Sequence, residues 1–380
     1  MKPILAILAA SLAVVLTSTA AVAAIAVWQI TDSFEPGVDI ESDGEAPPSV
    51  GAIDGPVNVL LVGSDSGGGN EAAYGERGEN LNDVTILLHI SPLSNTAIAV
   101  SMPRDLYVPI SNCEDGNPGT RKINEALTYG GLACAVSTVE NLTGLNIGYA
   151  AKIEFDGVLA MSDAVGGVTV CVAEPIHDLQ LKFDLEAGEH TLQGWNALQF
   201  LRSRHGVGDG SDTTRISNQQ LFMSALMRKI KSEGTLTNPI TIYTLAKAAS
   251  SNMQLSNSLS SLDTMASIAL AVKNVPLANI AFVTYPSGST VQNGVAGVAP
   301  RKGDAKILMD AIAADAQIIV TGKPGGGAVA GDDIVETPSP EPTGSGAPTI
   351  APVGPTVVEL PSTITGQSAT QQTCTNGNTF

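Results

Sequence analysis

The chain has 380 residues, 37 acidic against 19 basic side chains, and a formal charge of −18. That balance argues against a nucleic-acid partner, which needs a basic face; no helix-turn-helix pattern is present, and the acidity suits the solubility of an exported domain.

Residues Pro3 to Ile30 contain no charged side chain, and Lys2 is the only cation before them. About 20 apolar residues suffice to span a bilayer, whereas a cleaved signal peptide has an apolar core of only ~7–15 residues. The run therefore predicts an uncleaved signal anchor over 1–30, although Ala21-Val22-Ala23 could still serve as a cleavage site. Lys2 places the N-terminus on the cytoplasmic side and the remainder of the chain outside the cell. Residues 31–55 are acidic and contain proline and glycine, and read as a tether.

The folded region begins at Val57, with a short apolar run to Val62 that ends in Gly63-Ser64-Asp65. Val84–Ile90 and Thr96–Ser101 are two further runs of the kind buried on both faces of a sheet. Helices are expected at Ile123–Gly130, Ala135–Leu142 and Gly157–Val165, and strands at Ala150–Phe155 and Val168–Val172. Leu192–Leu201 reads as an amphipathic helix and Asn218–Lys231 as another. Residues 238–273 are mostly helical by apolar spacing, Asn279–Tyr285 is a strand, and Pro300 opens a last helix to Ala316. Strands alternating with helices predict a three-layer α/β/α domain over 56–322 with a central mixed sheet. A Pro/Gly/Thr-rich linker is expected over 323–361, then a short segment, 362–380, that holds Cys374.

All four cysteines (Cys113, Cys134, Cys171, Cys374) lie on the expected outer side, where disulfides form. Four cysteines allow three pairings. Proximity in sequence pairs Cys113 with Cys134 and leaves Cys171 for Cys374, which would dock the tail on the domain.

The chain has eight arginines, and three of them, Arg202, Arg204 and Arg215, fall within fourteen positions around a glycine-rich gap. Arginine binds phosphate in a planar, bidentate manner and does not titrate, so a scarce cation clustered this way suggests an anion site. The plainer alternative is a pair of cations at a helix C-terminus, with Asp212 capping the next helix. Asp65 lies at the carboxyl end of a strand, where ligands sit in open α/β sheets. Asp83 precedes the second strand, and the two carboxylates could share a hard cation such as Mg2+. Each could equally serve in a turn. Arg104 follows Pro103 at the end of the third strand; its plainer role is an ion pair with Asp105 or another nearby acid. His205 is as much a packing residue as an acid or base.

In order, these pieces resemble the LytR-CpsA-Psr family of cell-wall glycopolymer transferases. The match runs through Val59-Leu60-Leu61-Val62-Gly63-Ser64-Asp65, Asn82-Asp83-Val84-Thr85, and Val100-Ser101-Met102-Pro103-Arg104-Asp105. It continues in Lys122-Ile123-Asn124-Glu125-Ala126, Asp163-Ala164-Val165-Gly166-Gly167-Val168, Ala187-Gly188-Glu189-His190-Thr191-Leu192, Arg202-Ser203-Arg204-His205, and Asp212 to Gln220. It covers residues 56–235, and the cysteine-bearing tail looks like that of actinobacterial members.

The resemblance implies a single-pass membrane enzyme that moves a glycopolymer from a polyprenyl-pyrophosphate carrier to peptidoglycan, leaving a phosphodiester. It implies Mg2+ (or Mn2+) between the pyrophosphate and Asp65 and Asp83. Arg104, Arg202, Arg204, Arg215 and Gln219 would surround the phosphates, with Asp212 orienting the arginines and an apolar tunnel holding the lipid. Catalysis would then be positioning and electrostatic stabilisation, with no covalent nucleophile. There are departures. Many members carry Arg-Ser where this chain has Leu81-Asn82, so one phosphate contact is missing or Arg77 replaces it; Ser217 and Asn218 stand where some members have another arginine. The alternatives are a phosphatase or pyrophosphatase acting on lipid carriers, and a non-catalytic protein that binds polyprenyl phosphate or cell wall. A transcriptional attenuator fits poorly with the charge and the anchor.

Overall fold

The computed structural model describes residues 2–32, 36–40, 55–65, 80–110, 113, 119–232, 235, 238–330 and 356–378. Its centre is a seven-stranded mixed sheet. The order across it is Met253–Leu255, Tyr149–Ile153, β1 (Val57–Ser64), β2 (Asn82–Ser91), β3 (Thr96–Met102), Ile280–Thr284 and Gly366–Ser368. β2 runs antiparallel to β1 and β3, while Tyr149–Ile153 and Ile280–Thr284 run parallel to their inner neighbours.

Alternation along these strands sends side chains to two separate cores. Leu60, Val62, Leu87, Ile98 and Val100 pack with Leu127, Leu132, Val136 and Val139 of the helix Ala126–Thr143 and with Leu308 and Ile312 of the helix Lys302–Ala313. Val57, Val59, Ile86, Ile90, Ala99 and Phe282 face the other way, toward Met265 and Ile268 of the helix Leu262–Asn274 and Met223 and Met227 of the helix Asp212–Ser232. Both faces of the sheet are thus covered by helices, the α/β/α layering expected from the sequence.

A third core lies to one side. Val168, Val170 and Val172 pack with Phe200 of the helix Gly194–Arg202 and with Leu221 and Phe222. The sheet beneath them runs Gly188–Leu192, Val168–Val172, Thr373–Thr375, Ala328–Ala330. Within the segment expected as a linker, Ala328–Ala330 and Val357–Glu359 are therefore paired strands. Residues 331–355 lie outside the described residues. Both expected disulfides are present: Cys113–Cys134 spans 5.1 Å and Cys171–Cys374 4.5 Å between Cα atoms, within the range a disulfide bridges.

The segment Ala126–Thr143 is two helices meeting at a kink, with non-helical dihedrals at Gly130 and Gly131, in keeping with the two helices expected there. Two details differ from the sequence expectation. The stretch 238–273 is interrupted by Met253–Leu255, which leaves the helical layer to edge the central sheet. Val295–Pro300 pairs with Ser287–Gln292, so the last helix starts at Lys302 rather than Pro300.

At the N-terminus a helix runs from Lys2 to Asp32, and Gln29 Oε1 accepts a 3.1 Å hydrogen bond from Tyr243. Among the described residues no helix is long and apolar enough to cross a membrane; the side chains of residues 1–10 are outside the description. In the segment expected as a tether, Val38 bonds the edge of the sheet at Leu255 and Asn257.

Candidate functional site

β1 and β2 pair without interruption from Val57 to Gly63, which faces Val84; the next residue, Ser64, faces Asn82. Asp83 is the extra residue of a β-bulge, and a bulge re-aims the side chain it carries. Asp65 leaves β1 beside it. Its backbone N–H donates to Leu81 O, and the Leu81 N–H returns a 3.2 Å bond to Asp65 Oδ1. Leu81 thus orients a carboxylate through its backbone. Asn82 is buried and donates to Thr85 Oγ1 at 2.8 Å. Arg77 lies outside the described residues.

Four of the expected residues close into a ring. Arg104 Nη1 donates to Asp83 Oδ1 at 2.6 Å, and the Arg104 backbone N–H donates to Asp212 Oδ2 at 3.1 Å. Arg215 Nη2 lies 2.6 Å from Asp212 Oδ1 and donates to the Asp83 carbonyl at 2.7 Å. The ring joins two strand ends to the first turn of the helix Asp212–Ser232. The plainer role considered for Arg104, pairing with a neighbouring acid, is therefore also present. Burial opposes the Arg104 charge most strongly, but Asp83, Asp212 and Asp105 together outweigh it and hold its pKa above the ordinary value.

Two aspartates and two arginines leave the ring neutral overall. Yet among the described residues the Nε–H groups of Arg104, Arg204 and Arg215, and of Arg121 elsewhere, are buried without a hydrogen-bond acceptor. An unsatisfied buried donor of this kind is costly.

Arg204 stands on the loop 203–211, outside the ring; its Nη2 is 3.4 Å from His205 Nε2. Arg202 ends its helix with the guanidinium 4.3 Å over the Phe155 ring and Nη1 3.4 Å from Gln199 Oε1. Gln219 donates from Nε2 to Leu201 O at 3.1 Å, and Asn218 donates to Phe200 O at 2.8 Å. These two side chains satisfy the last carbonyls of the preceding helix, a structural role that the anion reading of Gln219 did not foresee.

One residue escaped the sequence reading altogether. Asp178, buried on the strand Ile176–Asp178, accepts from Ser203 Oγ at 2.9 Å and from the backbone N–H groups of Arg204 and Gly206 at 3.2 and 3.3 Å. Burial acts against its charge, but the bonds from Ser203, Leu181, Arg204 and Gly206 prevail and lower its pKa. A lone Asp after His177 carries no motif; only the fold brings it beneath the arginine loop.

Behind the ring, between the sheet and the helix Asp212–Ser232, is a narrow cavity of about 10 Å³ lined by Ile86, Ala99, Ser101, Gln219, Gln220, Met223 and Phe282. That holds about one water. A longer apolar group would enter only by parting the helix from the sheet, and methionine is the side chain best suited to such repacking.

Among the described residues no group of three or more His, Cys, Asp or Glu could hold a metal alone. Mg2+ characteristically takes one or two carboxylates and completes its shell with water and substrate phosphate oxygens. Asp65 and Asp83 suit that shared mode and do not make a cage of protein ligands.

The family model LytR_cpsA_psr matches residues 26–311. The cell wall biosynthesis protein LcpA of Corynebacterium glutamicum is 31% identical over 272 residues, 62% of this chain and 51% of that protein. A polyisoprenyl-teichoic acid–peptidoglycan teichoic acid transferase, TagU of Enterococcus faecalis, is 31% identical over 57% of this chain and 65% of its own length. The chain thus spans about half to two-thirds of these relatives. The LytR-Csp2A-Psr enzyme of Actinomyces oris has the same fold, with a TM-score of 0.55 at 22% identity over 73% of this chain and 96% of that one. With well over half its length under one family model, and the motif residues brought together at the ends of three strands and the start of one helix, the chain belongs to the LytR_cpsA_psr family.

Proposed function

We propose that this chain is a membrane-anchored phosphotransferase of cell-wall assembly, moving a glycopolymer from a polyprenyl-pyrophosphate carrier to peptidoglycan. The observation that carries this reading is that the Nε–H groups of Arg104, Arg204 and Arg215 are buried with no acceptor among the described residues. A pyrophosphate would supply oxygens for them. The naming of TagU as a teichoic acid transferase supports the same class of reaction.

A peptidoglycan hydroxyl attacks the phosphorus that bears the glycan. The bond from that phosphorus to the oxygen bridging the two phosphates breaks, and polyprenyl monophosphate leaves. The hydroxyl proton passes to a site carboxylate. Charge develops on the phosphate oxygens, and fixed guanidinium donors stabilise it. Mg2+ (or Mn2+) held by Asp65 and Asp83 would neutralise the pyrophosphate. Asp83 would then exchange its pairing with Arg104 for the cation, turning that arginine toward phosphate. Because the ring itself is neutral, such a cation and Arg204 provide the net attraction for the anion.

The helix Lys2–Asp32 would anchor the protein in the cell membrane, N-terminus inside, with the site on the outer face beside its lipid substrate. The apolar cavity beside Gln219 would open to take the first isoprene units.

The test is transfer by purified full-length protein from a lipid-linked glycan to peptidoglycan with Mg2+. Mass spectrometry should find a glycan–peptidoglycan phosphodiester and polyprenyl monophosphate. Free glycan phosphate, with water as acceptor, would replace this reading with a phosphatase; bound carrier without turnover would replace it with a binding protein.

A further inference from the structure

We propose that residues 376–378 belong to the phosphate site: they hold the loop 203–208, and so Arg204, in the conformation that meets the anion. This rests on the phosphotransferase reading above.

The loop lies outside the helices and sheets; Val207 N–H bonds Arg204 O at 3.3 Å within it, and its remaining backbone groups must be satisfied from outside. On one side Asp178 receives Ser203 Oγ and the N–H groups of Arg204 and Gly206. The tail bonds the opposite side, alongside Thr214 Oγ1 and the Gly210 N–H, which donate to Val207 O at 3.3 and 3.0 Å. Asn378 donates from Nδ2 to His205 O at 3.1 Å and from its backbone to Gly206 O at 2.9 Å. The Gly208 N–H donates to Asn376 O at 2.9 Å, and Val207 bridges Gly377. Gly206 and Val207 are buried with the tail in place.

The tail is itself firmly placed. Cys374 is bonded to Cys171, and Thr375 Oγ1 donates to Asn218 Oδ1 at 2.5 Å in a buried contact. Gly377 lies so close to the Pro175 and Glu174 carbonyls that a Cβ would come within 2.0 Å of Pro175 O. Asn218 also bonds Phe200 O, two residues before Arg202. Asn218 therefore serves as the tail's footing on the helix.

Arg204 gains from this because its own side chain has few contacts. A long, mobile side chain on a loose loop would lose much of its binding free energy to ordering; a loop clamped between Asp178 and the tail has been ordered in advance. The tail residues touch no substrate. They are positioning residues.

The test compares the full chain in detergent with Asn378→Ala and with a truncation after Thr375 that keeps Cys374 and its disulfide. Three quantities are read: hydrogen exchange at Gly208 and its neighbours, affinity for inorganic pyrophosphate with Mg2+, and glycan transfer. Truncation should speed exchange in 204–208 while leaving β1–β3 protected, and weaken pyrophosphate binding by roughly tenfold, equivalent to one lost charge-assisted contact. Asn378→Ala should show the same pattern to a smaller degree. Unchanged exchange and affinity in both variants would overturn the inference, as would exchange rising equally across the central sheet, which marks a general stability role. If the wild type binds pyrophosphate in this tail-dependent way but transfers no glycan, the phosphotransferase reading fails and the positioning role stands.

Discussion

Arg215 and Asp212 are one helical turn apart, and their 2.6 Å ion pair is nearly closed off from solvent, at 7% and 10% side-chain exposure. Arg215 also reaches across to the backbone carbonyl of the bulged Asp83. One guanidinium therefore ties the start of a helix to an irregularity in the sheet, and its removal strips the nearly buried Asp212 of its shortest ion pair, leaving it the more distant Arg104. Arg215→Ala should destabilise the domain by about 3–5 kcal/mol as well as abolish transfer. Denaturant titration beside a transfer assay checks both effects.

Arg204→Ala should behave in the opposite way. Among the described residues its side-chain bond goes to His205 at 3.4 Å. Stability should change by no more than about 0.5 kcal/mol, whereas transfer should fall by roughly 10²–10³, the cost of deleting one fixed donor to developing charge. Asp83→Ala should likewise keep the fold and lose transfer, since Asp83 is only part-buried. Wild-type ligation by either variant would remove these residues from the site.

Asp178 makes the acid limb of stability predictable. Its folded pKa is below the ordinary carboxylate value. Its contribution is thus present above the unfolded pKa, ~3.9, and is lost as pH falls through the lower folded value. Asp178→Asn should cost about 1–3 kcal/mol at neutral pH, the range for unsatisfied or weakened bonds to a charged group. It should also flatten the dependence of the melting temperature on pH below about 4. An unchanged acid limb would contradict the assignment.

The two disulfides should differ in weight. Loop closure over 203 residues for Cys171–Cys374 predicts about 5 kcal/mol, against about 3 kcal/mol over 21 residues for Cys113–Cys134. Separate Cys374→Ser and Cys113→Ser variants, unfolded in guanidinium, should rank in that order.

Much of this was legible in the sequence, for identifiable reasons. Apolar runs such as Val168–Val172 are bounded by glycine and charge, so their strand assignment needed no partner. Arg215 announced itself by the scarcity of arginine, and Asp83, Arg104 and Asp212 by motif order. Other features have no local signal. The bulge at Asp83 depends on register between two strands, and no single strand records its register. The short strand Met253–Leu255 sits in a helical pattern and is extended only because the sheet edge takes it, a tertiary override of propensity. Asp178 and Asn378 matter through backbone atoms of a loop remote in sequence, which no spacing could reveal.

The Cys171–Cys374 bond also changes what a break in the chain would do. Residues 331–355 lie between two paired strands, Ala328–Ala330 and Val357–Glu359. A single peptide cleavage there would yield two pieces that remain one covalent molecule, joined through sulfur. The cut protein should run as one band without reductant and as two with it, with the short piece still seated against the arginine loop until the disulfide is opened.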